Sequence, residues 1–282
     1  MKDYGLVLEG GAMRGLYTAG VMDVLMEHNI EFETIVGVSA GAAFGCNYKS
    51  KQIGRVLRYN LKYCDDPRFG GIKSLIKTGD LYNAEFAYYT LPSELDIFDT
   101  ETFINNPSKF YVVTTNVETG EAHYQRLDSA TGDDVEWIRA SASMPAVSKP
   151  VTIGEEMHLD GGMSDPIPLK WMQANQTKKN IVILTRPDDY IKPKANTTLV
   201  KILLKQYPKL INTMSMRSKV YNESVKYCEL QQERGNTLII RPSVDLGVKR
   251  TEKNRHKLQA IYDLGRQDTI NQLAQIIEFM KA

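Results

Sequence analysis

The chain has 282 residues, 42% of them hydrophobic and 24% charged, a globular composition that excludes long disorder and allows one large domain or two small ones. A formal net charge of +1 gives the protein as a whole no reason to seek a polyanion, so no nucleic-acid partner is expected. Cys46, Cys64 and Cys228 are scattered without a C-x-x-C pair, no apolar run reaches bilayer length, and a strand-like stretch follows Met1-Lys2-Asp3 directly, so reduced thiols in a cytoplasmic protein are expected.

In chain order, residues 4–8 form a short apolar run that ends in the loop "EGGAMRG", and residues 16–26 then carry apolar side chains at helical spacing. Residues 34–38 repeat the pattern, with Ser39 at the turn and a helix predicted over 40–48. Two strand-loop-helix units in succession predict parallel strands joined by right-handed crossovers, with helices on both faces of the sheet. Sites form in the loops at the carboxyl ends of such strands.

Residues 68–92 are rich in Phe69, Leu75, Tyr82, Phe86, Tyr88 and Tyr89. These side chains are either plain core or the lining of an acyl-chain pocket, with Gly70-Gly71 able to hinge a lid. Runs at 109–115 and 122–126 flank "NVETGE", a hairpin signal with Gly120 at the turn. A helix is predicted over 133–142, short strands over 151–153 and 157–159, and buried strands over 181–184 and 237–241. Residues 257–280 keep a helical apolar stripe through Leu258, Ile261, Leu264, Ile270, Leu273, Ile276 and Ile277.

A boundary falls within "RPDDYIKPK", dividing the chain into a catalytic domain, 1–190, and a mainly helical region, 191–282, packed on it. In the second region Lys192, Lys194, Lys201, Lys205, Lys209, Arg217, Lys219 and Lys226 are interleaved with Leu199, Ile202, Leu203, Leu210 and Ile211. Such a basic amphipathic surface suits peripheral docking on anionic lipid at the inner membrane face; solvated helix faces are the bland alternative.

Three motifs carry chemistry. In "GVSAG" (37–41), Gly37 and Gly41 remove the Cβ atoms that would clash at a sharp strand-to-helix turn, which holds Ser39 out as a nucleophile; a helix N-cap is the competing explanation. In "EGGAMRG" (9–15), backbone N–H groups at a helix N-terminus can hold a phosphate or a developing oxyanion. A dinucleotide fingerprint fails because Ala12 occupies the third position, and a P-loop needs Lys then Ser or Thr after the last glycine. In "HLDGGMSDPIP" (158–168), Asp160 ends an apolar strand and Gly161-Gly162 follow, presenting a carboxylate without bulky neighbours unless this is an ordinary Asp-Gly turn. With all three loops leaving strands at one edge, they supply donors, a nucleophile and a base, the parts that acyl transfer demands.

"GGAMRG", "GVSAG" and "DGG", in that order, together with "RASASMPAVSKPV" (139–151), resemble the patatin-like phospholipase family, and the likeness covers roughly residues 4–174. The resemblance implies a three-layer α/β/α core with a mostly parallel sheet, distinct from the α/β-hydrolase fold. It also implies hydrolysis of lipid acyl esters by a serine-aspartate dyad, with neither metal nor cofactor. Carried over, Ser39 is the nucleophile, Asp160 its base, and Gly10, Gly11 and Ala12 the oxyanion donors, with Arg14, Gly15, Gly37, Gly41, Gly161 and Gly162 as motif support. Ala12 departs from the family, which usually has a third glycine there; a positive φ at that position would put the oxyanion geometry in question.

A Ser-His-Asp triad is the rival arrangement. His28, His123 and His158 precede the acid in the chain, which leaves His256 in "KNRHKLQ", a charged setting that suits a surface residue better. Two further readings stay open: an acyltransferase using the same acyl-enzyme, and a non-catalytic lipid-binding or regulatory protein on this scaffold.

Overall fold

The computed structural model describes residues 4–145, 147–194 and 198–281, so the reading of residues 1–3 lies outside it. Among the described residues, eight strands form one sheet: β1 (Tyr4–Leu8), β2 (Thr34–Val38), β3 (Lys109–Asn116), β4 (Ala122–Leu127), β5 (Val151–Ile153), β6 (Glu156–Asp160), β7 (Lys179–Ile183) and β8 (Thr237–Ile240). Their order is β5-β6-β3-β2-β1-β7-β8, with β4 paired to β3. The central run β3-β2-β1-β7-β8 is parallel throughout, while β4, β5 and β6 join antiparallel.

Every residue of β1 and β2 is buried, as expected of strands covered on both faces. Side-chain alternation sorts them into two cores. Leu6, Leu8 and Ile35 pack with α1 (Gly15–Glu27), α2 (Ala40–Lys49), α3 (Arg55–Tyr63) and, from far along the chain, α10 (Arg255–Phe279). On the opposite face Val7, Val36 and Val182 pack with α7 (Leu169–Asn175) and α9 (Pro208–Glu233). The fold is therefore three-layered, α/β/α. Shorter helices α4 (Ile72–Thr78), α5 (Thr100–Asn105), α6 (Asp133–Ser141) and α8 (Thr198–Leu203) lie in the connections.

The chain beyond residue 190 is integral to this body, since β8 extends the sheet beside β7. Helices α1 and α10 cross with backbones in contact: a Cβ on Gly20 would lie 2.1 Å from the Tyr262 carbonyl oxygen, and one on Gly265 would lie 2.2 Å from that of Tyr17. Two buried hydrogen bonds fix the crossing, from Tyr262 Oη to Asp23 Oδ2 at 2.6 Å and from Tyr17 Oη to Asp268 Oδ2 at 3.1 Å. This contact also corrects the expected apolar stripe of α10. Gly265, Asp268 and Thr269 are buried with Leu258, Ile261 and Ile276, whereas Ile270 and Ile277 are exposed. Close backbone approach, together with side-chain hydrophobicity, selects the buried face.

Candidate active site

Ser39 sits between β2 and α2 at φ 55°, ψ −122°. A non-glycine residue in that region costs about 1–3 kcal/mol and persists only when its surroundings over-determine it. Here a Cβ on Gly37 would lie 2.4 Å from the Gly41 carbonyl oxygen, and one on Gly41 the same distance from that of Leu8, so the elbow closes only with glycine at both positions. The Ser39 N–H donates to Ser141 Oγ at 2.8 Å, and the Ser141 hydroxyl donates to the Val113 carbonyl at 2.7 Å. Ser141 was not singled out from sequence; its one signal is the small-residue run in "RASAS".

Asp160 reaches the same place by register. β2 ends with Val38 opposite Val113, and the next rung of β3, Thr114, is occupied by Asp160. His123 of β4 takes the other edge of Thr114, so β6 meets the end of β2 head-on along a shared edge of β3. The expectation that all three motif loops leave strands at one edge is therefore corrected. β1 and β2 do, but β6 runs antiparallel, overhanging the edge and returning to it. Gly161 follows because a Cβ there would lie 2.2 Å from the Val113 carbonyl oxygen.

The Asp160 side chain is buried, accepts the Gly162 N–H at 2.7 Å, and lines the same cavity as Ser39. Burial raises its pKa above the ordinary carboxylate value, opposed by the Ser39 hydrogen bond, the Arg217 charge and the Gly162 N–H.

Gly10 and Gly11 follow β1 and lie over Ser39 and Thr185 respectively, while Gly15, at the start of α1, faces Ala40 and Phe44 of α2. Ala12 adopts φ 50°, the positive φ under which the sequence put the oxyanion geometry in question; it costs an alanine roughly 1–2 kcal/mol, and the Ala12 N–H is kept. Among the described residues, no acceptor takes the N–H of Gly10, Gly11 or Ala12, although the Arg14 N–H bonds back to Gly11. Three free donors therefore open the N-terminal end of α1 beside the elbow.

Ser39 and Ala12 line two cavities at once. One, of about 490 Å³, is walled mostly by apolar groups including Phe44, Tyr59, Phe69, Tyr88 and Leu91, so several aromatic residues of the 68–92 segment do face a cavity. The other, of about 70 Å³, is polar and holds Glu9, Gly10, Gly11, Asp160 and Gly162. None of the four histidines lines either cavity, and His256 is exposed at the start of α10.

The expected basic docking surface loses two members to the polar cavity. Lys192 and Arg217 line it, and Arg217 Nε donates to the Gly162 carbonyl at 2.9 Å. Lys194, Lys201, Lys205, Lys209, Lys219 and Lys226 are exposed, as are Ile202 and Leu203, whereas Leu210 is buried; the Leu199 side chain lies outside the described residues. Arg217 was legible in principle. It stands three residues after Met214 and four before Tyr221, on the buried face of α9.

Fold and site together define a three-layer α/β/α protein with a serine elbow, a facing buried aspartate and free amides between an apolar and a polar cavity. The patatin-like phospholipase family model matches residues 6–171, and the chain belongs to that family. A second model, a domain of unknown function (DUF6363), matches residues 207–281.

Among curated proteins, YjjU of Escherichia coli is 31% identical over 192 residues, covering 64% of this chain and 52% of that one. Lysophospholipase NTE1 of Debaryomyces hansenii is 27% identical over 264 residues, covering 86% of this chain and 16% of that one. The NTE family protein Rv2565 of Mycobacterium tuberculosis is 26% identical over 182 residues, covering 62% and 29%. The chain thus spans about half the length of the first of these relatives and less of the others.

Proposed function

We propose that the protein hydrolyses acyl esters of lipids, in the manner of a phospholipase A or lysophospholipase, with Ser39 as nucleophile and Asp160 as its base. Ser39 Oγ bonds to the acyl carbon as its proton passes to Asp160, and the charge moving onto the carbonyl oxygen meets the N–H groups of Gly10, Gly11 and Ala12. The bond to the leaving alcohol then breaks, and Asp160 returns the proton to that alcohol. Water repeats the attack on the acyl-serine with Asp160 again as base, releasing the fatty acid.

The observation that carries this reading is the position of Ser39: strained, beside a buried carboxylate, and on the shared wall of an apolar cavity and a donor-lined one. The raised Asp160 pKa makes it a stronger base than an ordinary aspartate, and the Thr114–Asp160 pairing keeps it in place. The family match and the lysophospholipase relative support lipid esters as the substrate class. In this reading residues 1–190 carry the reacting groups and residues 191–282 pack on them.

The setting belongs to the same proposal. Exposed Ile202 and Leu203 beside Lys201 and Lys205 support contact with an anionic bilayer surface, and three free, buried cysteines suit the reducing cytoplasm. Binding to anionic vesicles should weaken as salt rises; salt-independent binding removes the contact.

The test of the reaction is fatty-acid release from a panel of phospholipids and lysophospholipids by wild type and Ser39→Ala. Release should fall by roughly 10³-fold or more in the variant. Release that survives the substitution in folded protein overturns the reading.

A further inference from the structure

The polar cavity holds more positive charge than the reaction needs. Arg14, Arg186, Lys192, Arg217 and Arg250 all line its 70 Å³, against two carboxylates, Glu9 and Asp160. Both carboxylates are engaged: Glu9 Oε2 accepts the Thr185 N–H at 2.6 Å, and Asp160 Oδ1 accepts the Gly162 N–H at 2.7 Å. Arg186 pairs outward with Asp245 at 3.2 Å. Among the described residues, none of the other four cations lies within ion-pair distance of a carboxylate, and Arg14 Nε is buried with no acceptor.

The cations also weaken one another. Burial, reinforced by neighbouring positive charge, lowers the pKa of Arg14 and Arg217 and brings Lys192, whose ammonium lies 4.0 Å over the Tyr221 ring, down to about 7. Charges crowded in this way destabilise an empty site and favour whatever anion relieves them. A transient carbonyl oxyanion already has three backbone donors. It calls for no permanent cations delivered from residues 186, 192, 217 and 250.

Building on the reading of Ser39 as an ester-cleaving nucleophile, we propose that this cavity is a subsite for a phosphate group, completed by the C-terminal segment through Arg217 and Arg250. At about 70 Å³ it is small beside the neighbouring apolar cavity of about 490 Å³ and has room for a compact oxyanion. Arginine forks and a lysine converging from separate segments match the several acceptor oxygens of a phosphate. Arg217 and Arg250 both fall within residues 207–281, so the segment of unknown function contributes to the wall beside the nucleophile.

The test uses the full chain with Arg250→Gln and Lys192→Met, leaving Arg217 in place because it also touches the Gly162 carbonyl. Inorganic phosphate, against chloride at equal ionic strength, should raise the melting temperature of wild type, with the apparent affinity falling about tenfold in each variant. Lysophosphatidic acid and monoacylglycerol of one acyl chain are then compared by kcat/KM. A wild-type preference for the phosphate ester that shrinks about tenfold in the variants identifies a lipid headgroup as the source. Phosphate stabilisation that depends on both residues without any ester preference identifies free phosphate. Stabilisation no greater than by chloride, with an ester ratio unmoved by either variant, overturns the subsite. Fluorophosphonate labelling of Ser39 in the same samples keeps the two proposals separable: absent labelling with intact phosphate binding sinks the catalytic reading alone.

Discussion

The apolar cavity and the polar pocket on either side of Ser39 differ in how the chain supplies their walls. The first draws mainly on residues between Phe44 and Ala142, neighbouring segments whose side chains need only be large, apolar and roughly placed. The second gathers residues from Glu9 to Arg250, each presenting a particular hydrogen-bonding or charged atom. Burial of hydrocarbon is non-directional and tolerates imprecision, whereas an oriented donor or carboxylate acts only at its exact station. The polar side should accordingly fail abruptly and the apolar side by degrees.

The largest effect is expected at Asp160. Asp160→Asn keeps the shape and can still accept the Gly162 N–H, yet offers Ser39 no base; kcat for a chromogenic ester should drop by about 10³-fold or more with KM little moved. Ala87→Phe, which fills the apolar cavity, should act by degrees instead. The ratio of kcat/KM for long over short acyl chains is expected to fall by about tenfold, measured on a homologous ester series.

Arg217→Gln sharpens the comparison through pH. Asp160 must be ionised to act as base, and its raised pKa places the acidic limb of kcat/KM above the ordinary aspartate range. Arg217 opposes that rise; without its charge the carboxyl holds its proton to higher pH, so the limb should move up. A limb that stays put would reduce Arg217 to packing. The smallest effect is expected at Ala12→Gly, which relieves the positive φ but loosens the unfolded chain, for a net stabilisation below about 1 kcal/mol by thermal melt.

What could be read from the sequence follows the same division. The β1-loop-α1 and β2-elbow-α2 units are local, their glycines and apolar runs lying within some dozen residues, and both emerge where the pattern puts them. The direction of β6 was not legible, because it depends on Asp160 pairing with Thr114 across 46 positions of chain. Lys192 and Arg217 are expected at the surface because a cation usually lies there, although Met214 and Tyr221 mark the buried face of α9 on which Arg217 lies. A formal charge of +1 averages away the concentration of cations around one small pocket. Ser141 had only the small-residue run "RASAS" to mark it and Arg250 no pattern at all; the folded chain brings them to the elbow and the pocket.

The most direct measurement is peptide mapping by mass spectrometry after a fluorophosphonate probe, on wild type and Asp160→Asn. A single adduct on the peptide carrying Ser39, formed at least about tenfold more slowly in the variant, is the predicted result. An unmodified Ser39 in folded protein, or a rate indifferent to Asp160, would contradict the dyad.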